Sequence, residues 1–370
     1  MQRLLSSTPQ SWHKNAKNPK IKLCFWVFVF HLVTLHRKRV GSVPALVVFF
    51  GNMINRQLIR IKAVQVFYAY SINSKNTSKE LDQEFEKALD NAHELYLFLL
   101  NFLFAIRQQA ETLAENIEAH NKRLGVKADV VSAERRLADN QWLLTLACNN
   151  ELQDYRAHHN DQNDAEYALA KRLTKDFLND EDFLHYLKKE DFSPEADQEI
   201  ARRLYKKIIV NCEDFDGILE DRSLYWNDDK QVIDTFVLKT IRRIQPNEDP
   251  DQPLLPAWGE EDDKTFAQSL LHEAVSHSSE ALELIKTFAS SRFDFNRIPV
   301  MDSIILQVAI GELIGIDGID VSITLNEYIN IARWYSTPQS PSFVSAMLDS
   351  IAKQLRHDGR MLKPISMMRQ

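Results

Sequence analysis

Residues able to do metal or covalent chemistry are present in this sequence, but their spacing works against them. In LHEAVSH (Leu271–His277) the two histidines stand five apart, whereas two histidines sharing a zinc ion on one helix stand four apart and face the same way. His158-His159 lies in a polar stretch with no Cys or carboxylate spacing suited to a ligand set. Cys24, Cys148 and Cys212 form no CxxC pair, and an odd, sparse count fits a reducing cytoplasm better than a disulfide framework. GxGxxG, GxxxxGK[ST] and GxSxG are all missing, which removes the phosphate-cradling loops and the nucleophile elbow. Carboxylates are plentiful, yet no pair is set apart for acid–base work. The expectation is a protein that is not an enzyme and uses no metal and no cofactor.

What the side chains can do is meet opposite charge. The formal net charge is −7, but residues 1–79 hold thirteen Lys or Arg and no Asp or Glu, so that segment carries +13 and the remainder −20. A basic N-terminal part on an acidic body points to an anionic partner touched at one end. The basic residues sit on a segment with helical periodicity, RQLIRIKAVQVFYAY (56–70). At about 100° per residue Leu58, Ile61, Val64 and Tyr68 gather on one side, while Arg56, Arg60 and Ala63 fall on a neighbouring stripe with Lys62 beside it. The pattern predicts a helix with a core face and a cationic face.

Before that helix, Leu23–Leu35 is an apolar run of thirteen, short of the roughly 20 residues that span a bilayer. Lysines precede it, but no persuasive small-residue cleavage site follows. Translation is expected to begin at Met53, with 1–52 as upstream read-through; a signal peptide or anchor is the competing reading.

The remaining elements read as helices. A long one is expected over about 80–122, with LYLFLLNFLFAI (95–106) apolar on every side and therefore buried. Further helices are expected at about 129–149, 163–177, 194–212 (Ser193 as cap, Pro194 at the first position) and 228–244. QPNEDPDQPLLPAWGEEDD (245–263), with four prolines and seven acidic residues, reads as an exposed linker. After it come one helix over 264–290, one starting at Pro299 and ended by Gly315 and Gly318, and one opened by a capping box at Thr324 and Glu327. The last is opened by Ser340-Pro341, with Phe343, Val344, Met347, Leu348, Ile351 and Leu355 as its buried stripe. Glu312, a carboxylate on a core stripe, calls for a partner. With only nine Gly in 370 residues, the composition fits short capped helices rather than a sandwich or nucleotide fold, and the fold class is all-α.

The two ends of the chain together resemble the NusB transcription antitermination family. Arg56, Arg60, Lys62 and Ala63-Val64-Gln65-Val66-Phe67-Tyr68 are similar to its opening helix, basic residues followed by A-x-Q-x-L/F-Y. IPVMDSIILQVAIGELI (298–314) and VSITLNEYINIARWYSTPQSPSFVSAMLDSI (321–351) carry the fuller match. The resemblance covers about 53–72 and 264–357, roughly a third of the chain. It implies a NusB-like helical bundle, with 76–244 as a large helical insertion and 358–370 as a tail. It also implies binding of boxA-type leader RNA as a heterodimer with NusE, a small-subunit ribosomal protein. Loaded onto RNA polymerase, that complex prevents premature termination, notably in ribosomal RNA operons. A homodimer is the candidate state of the free protein, and no membrane partner is implied. Carried over by position, Arg56, Arg60 and Lys62 would contact phosphates, with Gln65 and Tyr68 nearby. Glu312 would lie near the opening helix and the RNA or partner surface, and Ser340 and Phe343 at the head of the last helix would receive RNA.

Three features depart from the family pattern: the long insertion, a basic cluster thinner than the family's Arg-rich version, and the apolar leader. One rival reading is a helical protein-binding scaffold with weak or no RNA binding. Ribosomal RNA cytosine methyltransferases headed by a NusB-like domain form another. They need an α/β cofactor domain and a nucleophilic cysteine after the helical part, where this sequence has thirteen residues.

Overall fold

The structure, a computed structural model, describes residues 53–72, 78–126, 131–159, 164–189, 192–223, 225–246, 248–249, 251–258, 261–290 and 295–361. The expectation for 1–52 lies outside these. In chain order the α-helices are α1 (Arg56–Ile72), α2 (Ser78–Leu124), α3 (Ala133–Ala138), α4 (Gln141–Cys148), α5 (Asn150–His158), α6 (Asp164–Leu178), α7 (Glu181–Lys189), α8 (Pro194–Leu204), α9 (Phe215–Arg222), α10 (Trp226–Arg243), α11 (Glu261–Ser276), α12 (Ser278–Ser290), α13 (Val300–Gly315), α14 (Val321–Tyr335) and α15 (Ser340–His357). A π-helical turn, Tyr205–Ile209, follows α8, and a 3₁₀ turn, Phe295–Arg297, precedes α13. Extended pairing among the described residues is limited to one bridge, Ile54 with Trp258. The expected all-α class holds. Among the described residues, no helix is long and apolar enough to cross a membrane.

Contacts divide the chain into two compact units. One takes in residues 54–89 and the chain from Trp258 onward; the other takes in Met53 and residues 90–257.

In the first unit α13 is the axis. Its sequence is apolar on nearly every side, and all but a few of its residues are buried, so it must be enclosed by neighbours. α1, α11, α12, α14 and α15 all pack on it. α11 approaches closely at Gly311, where a Cβ would fall 2.8 Å from the Cα and N of Ala274. Gly318, at φ +74°, supplies the left-handed residue in the turn after α13. α1 is capped by Asn55, whose Oδ1 accepts from the backbone N–H of Gln57 (3.1 Å) and Leu58 (2.9 Å).

Three expectations fail here. The single helix over 264–290 is two helices meeting at His277. The capping box at Thr324 is not used: the helix begins a turn earlier, capped by Asp320 (2.8 Å from Ser322 N), and Thr324 sits inside it. On α15, Val344, Met347, Leu348, Ile351 and Leu355 are buried, but Phe343 is only half-buried.

In the second unit the all-round apolar stretch of α2 is enclosed as expected, with Leu95–Leu100, Phe102, Leu103, Ala105 and Ile106 buried. The helix expected over 129–149 is broken by Asn140, which caps α4 (Leu143 N to Oδ1, 3.0 Å) and donates from Nδ2 to the carbonyl of Asp197 (3.0 Å). Asn149 repeats the device at α5, capping Leu152 N (3.2 Å) and donating to the carbonyl of Gln252 (2.9 Å). Helices α5 and α9 lack a strong apolar period and escape sequence reading; α7 is amphipathic but only nine residues long, and is missed as well. The helix expected over 194–212 passes into the π turn, whose end is held by Lys230: its Nζ donates to the carbonyls of Ile209 (3.4 Å) and Val210 (3.3 Å) and to Asp234 Oδ2 (2.8 Å). The supposed exposed linker is partly interior. Leu254 and Leu255 are buried, and Leu255 N donates to Tyr96 Oη at 3.1 Å.

Gly311→Ala is expected to destabilise the protein by about 1–3 kcal/mol, because backbone would have to move. Gly315→Ala is expected to cost less, since the atoms its Cβ would meet belong to the flexible Glu273 side chain. Chemical denaturation of the two variants checks the order.

Candidate nucleic-acid interface

The residues singled out at the two ends of the chain converge in the first unit, though not as a cationic face. α1 packs on α11, α13 and α14, and its Arg60 points inward, with 3% of its side chain exposed. Its guanidinium meets Glu312 of α13 through two parallel hydrogen bonds, Nε to Oε2 at 2.8 Å and Nη2 to Oε1 at 2.7 Å. Glu312 has no exposed surface. Its oxygens also accept from two hydroxyls of α14, Thr324 Oγ1 to Oε1 and Tyr328 Oη to Oε2, both at 2.8 Å. Four donors thus surround one carboxylate. Burial alone would lower the Arg60 pKa, but the charge and hydrogen bonds of Glu312 outweigh it and raise the value. Burial, with the neighbouring Glu312 charge, holds Tyr328 well above the usual phenol value.

Arg60 Nη1 donates to the carbonyl of Arg56 (3.4 Å), and the guanidinium lies 5.0 Å from the ring centre of Phe266 on α11. Arg56 lies 5.2 Å from the same ring and donates from Nε to Asp263 Oδ1 at 3.3 Å. Its side chain is 44% exposed. Cation–π contact and an ion pair on α11 therefore orient the exposed cation of α1.

The remaining expected residues divide by depth. Lys62 has no exposed surface and Tyr68 is buried, whereas Gln65 is half-buried. Ser340 is 1% exposed; its Oγ donates to Asp302 Oδ2 (2.8 Å) and accepts from Thr337 N (3.2 Å). Ser336 Oγ donates to Asp302 Oδ1. Burial raises the Asp302 pKa, with these hydroxyls opposing. Ser340 thus fastens the head of α15 to α13, and half-buried Phe343 follows it. The cationic face expected for α1 is corrected: Arg60 and Lys62 are interior because their helix is enclosed on more than one side, and Arg56 is the cation left at the surface. Glu312 does lie against the opening helix, but it is fully enclosed rather than near an RNA or partner surface.

Sequence reading missed Thr324, Tyr328, Asp263 and Phe266. A hydroxyl at 324 and another at 328, one helical turn apart, were a usable signal for a shared acceptor. Glu327, beside Tyr328, keeps a buried Oε2 with no hydrogen-bond partner among the described residues. Burial raises its pKa, the Glu312 charge adds to this, and Arg60 opposes. Elsewhere in the unit His277 lies between two carboxylates, 3.2 Å from Glu273 and 3.1 Å from Glu280, while His272 faces Ser276 at 3.4 Å.

Removing one member of a buried pair strands the other's charge, at a cost of about 3–5 kcal/mol. Glu312→Ala is expected to lose that much, and the double variant Arg60→Met with Glu312→Leu clearly less than the sum of the singles, as measured by urea denaturation. For Glu327, a raised folded-state pKa means that its contribution to stability is present below the unfolded value and lost as pH rises through the folded one. Glu327→Gln is therefore expected to be more stable than the native chain at neutral pH. The gap should close as pH falls toward the ordinary glutamate value of 4.5; thermal melts between pH 4 and 8 check the sign.

A family model described as the NusB family matches residues 231–353, from within α10 to near the end of α15. Among curated relatives, the transcription antitermination protein NusB of Salinibacter ruber is 29% identical over 142 residues, 38% of this chain and 81% of its own length. That of Geotalea daltonii is 31% identical over 134 residues, 36% of this chain and 89% of its own length. That of Syntrophotalea carbinolica is 31% identical over 156 residues, 42% of this chain and 92% of its own length. No solved structure matches the chain significantly. On the coverage of these relatives, and with the opening helix and the α13–α14 motif joined through Arg60 and Glu312, the chain belongs to the NusB family.

Proposed function

We propose that this chain is a non-enzymatic transcription antitermination factor that binds boxA-type leader RNA together with a NusE-type ribosomal protein. As part of a complex on RNA polymerase it prevents premature termination, notably in ribosomal RNA operons. The observation that carries the reading is the convergence of the family's terminal motifs on one buried ion pair, with Arg56 exposed beside it. In this reading Arg56 meets a phosphate, and Gln65 and the half-buried Phe343 ring offer an amide and a stacking surface to unpaired bases. Arg60, Lys62, Tyr68, Ser340 and Glu312 serve from below, by fixing the helices that present those groups.

A second reading has a specific observation in its favour. With Arg60 and Lys62 enclosed, α1 offers one exposed cation, and phosphate contacts supply much of the affinity for RNA. A helical scaffold that keeps the protein partner and has weak or no RNA binding fits that geometry.

Binding of the full chain to a boxA-like RNA and to a scrambled RNA, with the NusE-type protein present and across a salt series, separates the two. The first reading expects ternary binding that prefers boxA. It expects Arg56→Ala to weaken both RNAs about equally, and to reduce the salt slope by about 0.7, one phosphate contact on a single strand. Binding to the protein partner with no RNA preference would replace it with the scaffold.

A further inference from the structure

The second unit contains a cavity of about 210 Å³ that neither the motif residues nor the proposed function uses. Phe98, Phe102, Phe104 and Tyr155 give it aromatic walls, and the exposed residues among its lining are Gln108 and His159. The His159 ring stacks on Tyr155 with centroids 4.3 Å apart. A partly open cleft with aromatic walls and a few convergent polar groups is a common form of small-molecule site.

Two residues of the lining have incomplete polar contacts. Arg156 lies over the Phe104 ring at 4.1 Å and donates from Nη2 to the carbonyl of Ala147 at 2.8 Å. Its Nη1 is buried with no acceptor, and no carboxylate lies within ion-pair distance of it among the described residues. Asn101 Oδ1 is also buried with no donor. The other arginine of the lining differs: Arg222 Nε donates to Glu166 Oε1 at 2.6 Å, so those two charges offset each other. The cavity is left with one uncompensated positive charge, one buried amide oxygen without a donor, and aromatic walls. Buried polar groups without partners are few in native proteins and call for a cause.

We propose that this cavity binds a small aromatic carboxylate carrying a hydroxyl or amino donor. The ring lies among Phe102, Phe104 and Tyr155, the carboxylate takes the free guanidinium hydrogen of Arg156, and the donor meets the Asn101 carbonyl. Charge-assisted bonds of this kind are the strong ones. The volume leaves room for a single ring with its substituents. The proposal is independent of RNA binding, because every residue in it belongs to 90–257.

The test uses the full chain with 4-hydroxybenzoate as probe, and benzoate and 4-hydroxybenzamide as controls, read by titration calorimetry and ligand-observed NMR. The acid should bind saturably with Kd on the order of 0.1–1 mM, a range a ten-atom ligand reaches, and the neutral amide at least tenfold more weakly. Arg156→Gln should erase the difference between acid and amide, and Asn101→Leu should weaken 4-hydroxybenzoate but not benzoate. If Arg156→Gln fails to fold, as judged by circular dichroism, the acid–amide difference in the native chain and the Asn101→Leu result decide. No saturable binding of either acid, or equal binding of acid and amide, would overturn the proposal and leave water as the occupant that bridges Asn101 and Arg156.

Discussion

A guanidinium and a carboxylate leave water at a cost that their attraction repays only when each donor and each lone pair is met. Glu312 meets that condition with two donors on each oxygen, drawn from two helices packed on its own. α1 brings the guanidinium, α13 the carboxylate, and α14 the hydroxyls of Thr324 and Tyr328, all at 2.7–2.8 Å. None of the four can be supplied without the others being correctly placed, so the network sets the register of α1 against the helices of the C-terminal part, 252 residues further on. The same arrangement explains why Arg56 is exposed. One turn from Arg60, it has Phe266 beneath it and Asp263 at its side, and the pair below fixes the helix that carries it.

The second unit is stabilised by different means. Its short helices are separated by asparagines that cap one helix and tether another segment, at Asn140 and Asn149. Its irregular turn at Tyr205–Ile209 is completed by Lys230, a buried cation shared between two carbonyls and Asp234. Tyr205 Oη donates to the other oxygen of that carboxylate at 2.5 Å. Burial raises the pKa of Asp234 while Lys230 opposes it. These are local solutions to local breaks in helical periodicity within residues 90–257.

Long helices were legible: α1, α2, α6 and α10 lie close to where apolar spacing puts them, and α13 runs between Pro299 and Gly315 as its punctuating residues indicate. The misses have physical causes. Asn140 ends a helix by offering a better partner to the backbone, which period alone does not register. His277 interrupts a pattern that reads as unbroken. The hydroxyl of Thr324 is drawn away from capping by a carboxylate twelve residues earlier. The site was half legible. Arg56, Arg60 and Glu312 were recognised as belonging together, but the sign of their exposure was not, because a single helix wheel cannot tell which polar stripe a neighbouring helix will cover. Phe343, at the edge of its stripe, shows the same limit from the other side.

The measurement that bears most directly on this account is NMR of the arginine Nε–H groups, followed by hydrogen exchange and RNA titration of the full chain. The account predicts that Arg60 Nε–H is strongly protected from exchange, that Arg56 Nε–H exchanges rapidly, and that added boxA-like RNA shifts Arg56 while leaving Arg60 in place. Rapid exchange at Arg60, or an Arg60 resonance that moves to a new environment with RNA, would contradict a buried clamp and return Arg60 to the binding surface.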